Sequence, residues 1–474
     1  MAKTTPRSLQ EAIEAVGNPV DLLWQNAKGN AAGVLPRWDP SVVPPEVSNW
    51  RNEQEAWTTT AVLFDQSYHM PELHLSGKDP LKALEPLCVN NLSRVTPGVS
   101  RHILCCTPRG DVIGDNILYC LDDHHLVLVS GEPVLNWVQY HLEQAGEVEL
   151  ERDENWANNR TGRRHFYRYE IAGPNAKGLL ERLVDETAVE IPYFHVASLS
   201  VDGHPVRVLH HNMAGVPGYE LSGPWQDREW MKERLLEIGR AFGLRHGGSL
   251  AYVSASLESG WIPRPLPGIY SDPALRPYRE WLPATSVEGT RSLGGSFYSP
   301  RIEDYYVSPW DLSYGHLVKF DHDFIGRAAL EERARGPHRR RVTLVWEKAD
   351  VLKVVESFLE PGLPALYIEW PVLYHGWRYD QVLNAQGERV GLAVNLTGYS
   401  FNERAVLSLA TVDEAYSQPG TQLTLVWGEE GEGARSAHAL GRHRQMRIRV
   451  TVAPSPIGQL ARDHRQKVAR WSLA

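Results

Sequence analysis

Two segments of the chain share one pattern of apolar and polar positions. Residues 73–84 and residues 169–180 each begin with a short alternation of apolar and polar side chains, which predicts a half-buried strand. A glycine follows in each, Gly77 or Gly173, and apolar residues then recur at helical spacing. Because glycine permits a tight reversal of the chain, this strand–turn–helix pattern predicts two related α/β units.

The same periodicities predict further elements around these two units. Ser8 can cap a short opening helix, and a helix over residues 225–242 is expected to end at Gly243. Residues 36–45 are rich in proline, which predicts an extended arm rather than a regular element. Strands are predicted at residues 112–118, 126–129 and 206–210.

Strand patterns dominate the chain from residue 342 onward, which predicts an all-β domain, either a barrel or a jelly roll. The polar residues 429–435 are expected to form a hairpin tip. The basic run at residues 333–341 is expected to be a solvated linker that precedes this domain. Strands are predicted at residues 342–346, 390–396, 405–411, 422–427 and 446–452.

These patterns and the length of 474 residues predict three domains of overall α+β class. Residues 1–165 are predicted to form a first α/β domain with the N-terminal arm, completed by residues from about 250 to about 335. Residues 166–249 are predicted to form the second α/β domain, and residues 340–474 the β-barrel or jelly-roll domain.

Composition and charge exclude several classes of partner. The formal net charge is −9, which argues against a nucleic-acid surface because such surfaces need clustered positive charge. The N-terminus is polar, and no apolar run reaches the roughly 18 residues of a membrane span. The four cysteines have no CxxC spacing. We therefore expect a cytoplasmic protein with free thiols, while the oligomeric state stays open.

Motifs for several cofactors are missing from the sequence. There is no GxGxxG after a strand, no GxxxxGK[ST] loop and no HExxH. The nearest grouping of metal-ligating residue types is Cys120, His124 and His125, which we interpret as an ordinary turn because four ligands with zinc geometry are not offered. No metal site is predicted.

Longer motifs resemble the folate-binding signature of the aminomethyltransferases, which include the glycine-cleavage T-protein. Within that superfamily, the chain resembles most the tetrahydrofolate-dependent vanillate and syringate O-demethylases. The first set of motifs lies at residues 110–115, 210–221, 257–263, 320–327 and 396–403. The second set lies at residues 48–51, 63–70, 257–267, 278–283 and 302–307.

The resemblance implies a three-domain T-protein-like fold with folate in a central hole. It also implies transfer of a methoxy methyl group to N5 of tetrahydrofolate, which releases a phenol and 5-methyltetrahydrofolate. Because a phenol has a pKa near 10, a proton or strong hydrogen bonds must reach the ether oxygen as it leaves.

Three residues match catalytic or substrate-contacting positions of these demethylases. Tyr252 matches the catalytic tyrosine, and Gln66 and His69 match positions that contact the substrate. Either Tyr252 or His69 could supply the proton. The resemblance also places Tyr68, Glu132 and His211 at the substrate.

Folate binding is assigned by the same resemblance. Asp115 and Glu220 match acidic residues that accept hydrogen bonds from pterin N–H groups. Trp261 is expected to line the folate pocket, and Glu258 to support it. Two arginines are candidates for contact with the folate glutamate tail, Arg245 and Arg327.

One position departs from the vanillate-type pattern. Relatives carry an arginine that binds the substrate carboxylate where this chain has Glu132, and a carboxylate repels a benzoate. Other cations could replace that arginine, with Arg101, His102, Arg109 and His211 as options. The substrate is then a vanillate- or syringate-like acid, a chlorinated 2-methoxybenzoate such as dicamba, or a neutral methoxyarene such as guaiacol.

Three functions remain open from the sequence. The first is a folate-dependent O-demethylase of a methoxylated aromatic acid. The second is a folate-dependent demethylase of a cationic N- or S-methyl donor, which Glu132 would suit. The third is a folate-binding protein without catalysis, against which the joint presence of Tyr252, Gln66 and His69 argues.

Overall fold

In a computed structural model, the chain is described over residues 5–29, 39–186, 188–373 and 376–471. The strands in these ranges form a five-stranded sheet, a six-stranded sheet and a closed barrel. The first three residues of the predicted arm, 36–38, lie outside the described residues. Residues 39–45 contain neither helix nor strand.

The five-stranded sheet contains the strand–turn–helix unit predicted at residues 73–84, because strand β2 (Glu72–Ser76) is followed by helix α4 (Pro80–Leu84). The strands are antiparallel in the order β3–β4–β5–β2–β6. The sheet consists of β2 (Glu72–Ser76), β3 (Ser100–Cys106), β4 (Val112–Asp122), β5 (His125–Val129) and β6 (Glu149–Asp153), with helices α4 (Pro80–Leu84) and α5 (Glu132–Ala145).

The six-stranded sheet contains the second predicted unit, formed by β7 and α6. Its strand order is β11–β1–β7–β10–β9–β8, and β1 and β11 are parallel. The sheet consists of β1 (Ala61–Asp65), β7 (Phe166–Ala172), β8 (Val196–Val201), β9 (His204–Leu209), β10 (Gly218–Pro224) and β11 (Leu244–Gly247). The helices of this part are α3 (Trp50–Thr59), α6 (Ala176–Leu183), α7 (Arg228–Gly239) and α8 (Ser249–Ser259).

Strand β1 shows why sheet membership does not follow sequence order. It lies inside the range 1–165 predicted for the first domain, yet it pairs with β7 and β11. All five of its residues are buried, and an apolar run without alternation carries no sign of the sheet that it joins. The limits of the three domains remain a prediction.

Glycine at position 173 is required by the turn of the second unit. Its φ is 135°, and a Cβ there would lie 2.6 Å from the backbone oxygen of Thr60. The predicted end of the later helix at Gly243 is confirmed, since this residue is left-handed with φ 68° after a short 3-10 turn. The opening helix also begins as expected, with Ser8 accepting a hydrogen bond from the Glu11 amide.

The C-terminal strands form a barrel, as predicted. Six strands are paired in the order β15–β18–β19–β13–β17–β16, and β15 also pairs with β16, which closes the ring. The barrel strands are β13 (Arg339–Trp346), β15 (Trp377–Leu383), β16 (Arg389–Ser400), β17 (Ala405–Asp413), β18 (Gln422–Trp427) and β19 (Met446–Ala453). Short strands β12 (Leu293–Gly294) and β14 (Val372–Leu373) extend the sheet.

One expectation around the barrel was wrong. Residues 339–341 of the basic run are not linker but open β13, because β17 and β19 pair with that strand. Residues 429–435 lie, as expected, in the connection between the antiparallel strands β18 and β19, but this connection is long, since it also holds a short helix and the buried Glu429, whose carboxylate binds Ser436.

Several helices cover the sheets and the barrel. The C-terminal helix α14 was not predicted by the strand-dominated pattern before it. These helices are α1 (Leu9–Val16), α2 (Pro19–Gly29), α9 (Arg276–Trp281), α10 (Val287–Thr290), α11 (Arg327–Arg333), α12 (Lys348–Glu356), α13 (Ala437–Leu440) and α14 (Gln459–Trp471).

The four cysteines are buried and carry free thiols. Among the described residues, no helix is long and apolar enough to cross a membrane. In the same part of the chain, His, Cys, Asp and Glu side chains form no group of three or more that could hold a metal ion.

Candidate active site

A cavity of about 430 Å³ lies where the two sheets meet α8 and α14. Strand β4 and the end of β5 line the cavity from the five-stranded sheet, and β7 and β10 line it from the six-stranded sheet. The predicted site residues on its surface are Gln66, His69, Asp115, His211, Glu220, Tyr252 and Trp261.

The three residues predicted as catalytic form one hydrogen-bonded cluster on this surface. Gln66 and His69 lie in the loop that leaves β1, and Tyr252 lies in the first turn of α8. The Tyr252 hydroxyl is 3.1 Å from His69 Nε2. Gln66 Nε2 donates to the same hydroxyl oxygen over 3.4 Å.

The electrostatic surroundings set the protonation of this cluster. Burial, followed by the nearby carboxyl groups of Glu170 and Glu220, raises the pKa of Tyr252 well above 10. Burial, followed by the charges of Arg168 and Arg264, lowers the pKa of His69 well below 6.5. At neutral pH the tyrosine therefore keeps its proton and the imidazole is neutral, so the hydroxyl can donate to His69 Nε2.

Behind Gln66 lies Glu170, a residue that the sequence motifs did not indicate. It is fully buried on β7, and its Oε2 accepts hydrogen bonds from Gln66 Nε2 and the Met213 amide. Its cross-strand neighbour is Glu220. Burial first, and then the charge of Glu220, raises the pKa of Glu170 to about 8, so this carboxyl group is mostly protonated at neutral pH.

Asp115 is held as an anion on β4. Its Oδ2 accepts hydrogen bonds from His102 Nε2 at 2.7 Å, Trp261 Nε1 at 3.0 Å and Tyr314 Oη at 3.1 Å. Burial alone would raise the pKa of Asp115, but the hydrogen bond and charge of His102, with those from Trp261 and Tyr314, lower it. Its other oxygen, Oδ1, accepts no hydrogen bond from the described residues.

Glu220 on β10 is the second anion of the cavity. It accepts hydrogen bonds from Arg168 Nη2 and His211 Nδ1, each at 2.8 Å, and from Tyr119 Oη at 3.1 Å. Burial raises the pKa of Glu220, but the hydrogen bond from His211 and the charge of Arg168 outweigh it and lower the pKa to about 2.

Buried polar atoms without hydrogen-bond partners show that the cavity suits a polar ligand. Both side-chain polar atoms of Asn116, which lines the cavity and is 3% exposed, have no hydrogen-bond partner among the described residues. Arg168 Nη1 is in the same situation. A buried unsatisfied polar group costs about 1–3 kcal/mol, so a heterocycle with donors and acceptors, such as a pterin, fits these residues.

Comparison with known proteins identifies the family. Residues 27–263 match the model of the GCVT N-terminal domain. The chain is 40% identical to syringate O-demethylase of Sphingobium sp. (strain NBRC 103272 / SYK-6) over 96% of this chain and 97% of that protein. The chain belongs to the glycine-cleavage T-protein (GCVT) family.

Two further members extend the comparison. Sesamin methylene transferase of Sinomonas sp. (strain No.22) is 29% identical over 84% of this chain and 86% of that protein. The aminomethyltransferase T of the glycine cleavage system from Bartonella henselae shares the fold, with a TM-score of 0.59 at 17% identity over 88% and 92% of the two chains. The T-protein-like fold and the resemblance to an O-demethylase enzyme of this family are thereby confirmed.

Three residues that the family resemblance placed in the site do not line the cavity. Tyr68 packs edge-on against Trp156 and Trp225 in the core of the six-stranded sheet. The other two are Glu132 and Glu258.

Glu132 is 4% exposed and lies in the first turn of α5, where the helix dipole favours an acid. Its carboxylate accepts a hydrogen bond from Asn155. Glu258 accepts hydrogen bonds from Trp57, Ser400 and Asn402, and so joins α8 to α3 and to the end of β16.

The candidate partners of a substrate carboxylate are distributed unevenly. Among the four options from the sequence, His102 and His211 line the cavity, but each is hydrogen-bonded to a carboxylate, Asp115 or Glu220 respectively. Arg101 and Arg109 do not line it. The predicted contacts to the folate tail are also absent from its surface, since Arg327 pairs with Asp323 and Glu331 and Arg245 is exposed on β11.

Arg264 supplies a cation that the motifs did not reveal. It lines the cavity, and its charge acts on both Tyr252 and His69. Its backbone is left-handed with φ 49°, and its carbonyl accepts hydrogen bonds from the barrel residues Trp377 and Asn395. Burial lowers the pKa of Arg264 to about 10, so it remains cationic at neutral pH.

Proposed function

We propose that this chain is a tetrahydrofolate-dependent O-demethylase that transfers the methyl group of a methoxylated aromatic acid to N5 of tetrahydrofolate. The observation that carries this proposal is the cluster of Tyr252, His69 and Gln66 on the same cavity as the anions Asp115 and Glu220. The 40% identity to a protein named syringate O-demethylase supports it.

Tyr252 is the acid of the proposed reaction. Tetrahydrofolate supplies the nitrogen that takes the methyl group when it is bound. As the carbon–oxygen bond of the ether breaks, the Tyr252 hydroxyl donates its proton to the leaving oxygen, which departs as a phenol. His69, which is neutral and 3.1 Å from that hydroxyl, takes up the proton that the methylated nitrogen releases and passes it to the Tyr252 oxygen, so that both side chains return to their starting states.

Gln66 and the two carboxylates act by alignment. Gln66 donates a hydrogen bond to the Tyr252 oxygen. The hydrogen of the Tyr252 hydroxyl is therefore directed away from Gln66, either into the cavity or toward His69. Asp115 Oδ1 and Glu220 are positioned to accept hydrogen bonds from the pterin. Holding the two reactants in line contributes a large part of the acceleration in such transfers.

The proposed substrate class is a methoxylated aromatic acid. Arg264 lies beside the reacting cluster and offers a cation to a substrate carboxylate. Glu132 lies outside the cavity, so its charge is no obstacle to a benzoate and gives no support to a cationic N- or S-methyl donor. The candidates are vanillate- or syringate-like acids and chlorinated 2-methoxybenzoates such as dicamba.

A panel of donors tests this proposal. Purified protein is incubated anaerobically with tetrahydrofolate and vanillate, syringate, 3,6-dichloro-2-methoxybenzoate or guaiacol, and 5-methyltetrahydrofolate is followed by mass spectrometry. We expect product from at least one acid and much less from guaiacol. Product from methylated amines or sulfoniums alone would contradict the proposal, and folate binding without any product would favour a non-catalytic folate-binding protein.

The assignment of Arg264 has its own test. Replacing Arg264→Met should raise KM for the acid substrate by about 10–100-fold, the range of one to two charge-assisted hydrogen bonds, with a smaller effect on kcat. Arg264→Lys, which keeps the charge, should recover part of the loss. An equal loss for the acid and for guaiacol would contradict a role in carboxylate binding.

A further inference from the structure

The C-terminal helix α14 forms part of the cavity wall. The side chains that line the cavity are spaced as one face of a helix requires. Its apolar members are joined by His464 and Arg465, and His464 Nε2 is buried without a hydrogen-bond partner among the described residues. The lining residues of α14 are Ala461, His464, Arg465, Val468 and Ala469.

Arg341 on β13 and His316 lie on the same side of the cavity as Arg465. The charge of Arg465 lowers the pKa of His316, after burial as the larger cause, and also contributes to the lowered pKa of Arg341. The three side chains therefore lie close to one another, and the two arginines repel each other. We call Arg341 and Arg465, with the neutral His316 beside them, the cationic mouth of the cavity, because His316 and Arg465 are exposed and Arg341 is half-buried.

The cationic mouth has no anionic partner in the described part of the chain. Neither Arg341 nor Arg465 forms an ion pair with a carboxylate there, and Arg341 Nε is buried without a hydrogen-bond partner. Asp115 is the acidic group that acts on Arg341, but its Oδ2 is already bound by three donors. Uncompensated like charges at a cavity entrance create a positive potential that attracts an anion.

Tyr314 connects the cationic mouth to the anion that we assign to the pterin. Its hydroxyl donates to Asp115 over 3.1 Å, and its ring centroid lies 5.8 Å from Arg341 Cζ. A ligand with a polar heterocycle at Asp115 and Glu220 would extend from there past Tyr314 toward the cations. Tetrahydrofolate has this arrangement, because its carboxylates lie at the end opposite to the pterin.

We propose that the cationic mouth, formed by α14 and β13 together, binds the glutamate carboxylates of tetrahydrofolate. This inference rests on the proposed function, since it assumes folate as the ligand of the cavity. It transfers the tail-binding role expected for Arg245 and Arg327 to Arg341 and Arg465. Because further glutamates would add negative charge at the same entrance, polyglutamylated folate should bind more tightly than the monoglutamate.

Binding of two ligands that differ only at the tail tests the proposal. The dissociation constants of tetrahydrofolate and of tetrahydropteroate, which lacks the glutamate, are measured by titration calorimetry under anaerobic conditions. Arg465→Gln and Arg341→Gln should each weaken tetrahydrofolate binding by about tenfold, which is 1.4 kcal/mol. Both variants should weaken the binding of tetrahydropteroate, which keeps a single carboxylate on its benzoyl ring, much less than the binding of tetrahydrofolate, and the loss should shrink at high salt.

A variant on the same helix provides the control. Arg462→Gln removes a cation whose guanidinium donates to the Pro456 carbonyl and does not line the cavity, so it should leave both affinities as they are. Circular dichroism and thermal unfolding confirm that each variant is folded, and Arg465, which is exposed, is the safer of the two test positions.

Two results would overturn the proposal. One is an equal loss of affinity for tetrahydropteroate and tetrahydrofolate in the arginine variants. The other is unchanged folate binding with a raised KM for the aromatic acid, which would assign the cationic mouth to that substrate. Since the measurement needs binding and not turnover, it stays decisive even if no methoxyarene proves to be a donor.

Discussion

The proton of Tyr252 is central at the scale of single residues. Its hydroxyl has an acceptor in His69 and a donor in Gln66, which is the arrangement needed to hand over a proton and to stabilise the oxygen that remains. Burial and two nearby carboxyl groups raise the pKa of Tyr252, so the hydroxyl keeps its proton. In the proposed reaction this proton passes to the leaving oxygen.

Removing the hydroxyl tests this role. Tyr252→Phe should lower kcat by about 10²–10⁴-fold, the usual contribution of a general acid, while tetrahydrofolate affinity stays close to that of the wild type. Tyr219→Phe makes the same chemical change on β10 at a buried side chain outside the cavity, and should be nearly silent. Comparable losses in the two variants, measured as single-turnover rates, would rule out Tyr252 as the acid.

Glu170 explains how Gln66 is held. Gln66 Oε1 and Glu170 Oε1 both lack hydrogen-bond partners among the described residues. A protonated Glu170 is neutral, so its burial beside Glu220 adds no second negative charge. The charged and titratable groups around this carboxyl group are Glu220 on the next strand, Arg168 on its own strand and Tyr252 on α8.

The raised pKa of Glu170 makes stability depend on pH. Its pKa changes from an ordinary 4.5 to about 8 on folding, so the folded state binds the proton more tightly, and stability falls as pH rises between these values. The slope is at most about 1.4 kcal/mol per pH unit. In Glu170→Gln this fall should be absent, so the difference in unfolding free energy between variant and wild type should change with pH from 5 to 8. A difference independent of pH would show that Glu170 is ionised when folded.

The resemblance to the demethylases predicted the cluster of Tyr252, Gln66 and His69 but not the charged residues around it. Gln66 and His69 could be assigned because they stand in the contiguous motif at residues 63–70, and Tyr252 because it matches the catalytic tyrosine of the demethylases. Glu170 and Arg264 could not, because strand register and a left-handed backbone decide where their side chains point. Tyr68 stands two residues from Gln66 in the loop after β1, but its side chain packs into the core against Trp156 and Trp225.

At the scale of elements, α8 is the helix on which the site depends. One of its faces lines the cavity and another is fixed by Glu258, whose carboxylate binds side chains from α3 and from the end of β16 and the turn after it. Glu258 was expected at the folate, but these contacts make it a structural link. Burial raises its pKa to about 7.

Substitution of Glu258 distinguishes a structural role from a role in folate binding. Glu258→Ala leaves buried donors without an acceptor and should lower the free energy of unfolding by about 1–3 kcal/mol, with little change in tetrahydrofolate affinity at a temperature where the variant is folded. Glu258→Gln, which keeps one acceptor, should lose less. Denaturant unfolding and calorimetric binding give both quantities, and a loss of folate affinity in a fully stable Glu258→Gln would return this residue to the folate site.

The start of α5 couples a glycine to Arg264. A Cβ at Gly131 would lie 2.6 Å from Arg264 Cδ, so Gly131→Ala should displace this flexible side chain. We expect KM for the aromatic acid to rise several-fold while folate affinity is unchanged. Gly146→Ala, at the other end of the helix with no atom within 4 Å of a new Cβ, controls for helix effects, although its φ of 67° adds some strain. An unaltered KM in Gly131→Ala would argue against Arg264 as the carboxylate partner.

At the scale of the whole molecule, the cavity exists because separate parts of the chain meet. The two sheets, α8, the barrel strand β13 and α14 each contribute side chains. Hydrophobic periodicity predicted strands in all three groups, but it did not indicate β1, β3, β6, β8, β10, β11 or β15. It could not predict that β1 would join the six-stranded sheet or that α14 would return to the cavity, because both depend on contacts far apart in sequence.

A ligand held by several parts should stabilise the fold as a unit. At 100 times its dissociation constant, tetrahydrofolate should add about 2.7 kcal/mol to the stability and raise the unfolding temperature. Asp115→Asn, which removes the negative charge proposed to bind the pterin, should show a much smaller rise at the same concentration. An undiminished rise in this variant would place folate elsewhere.

Transfer of a labelled methyl group is the decisive test of the proposed reaction, in which the methyl group of an aromatic methyl ether moves to tetrahydrofolate. Enzyme, tetrahydrofolate and an aromatic acid with a ¹³C-methoxy group are mixed without oxygen, metal or reductant, and both products are analysed by mass spectrometry. We expect one labelled 5-methyltetrahydrofolate for each phenol released, and a rate greatly lowered in Tyr252→Phe. Phenol formed without label on folate, or labelled folate formed equally fast without Tyr252, would contradict it.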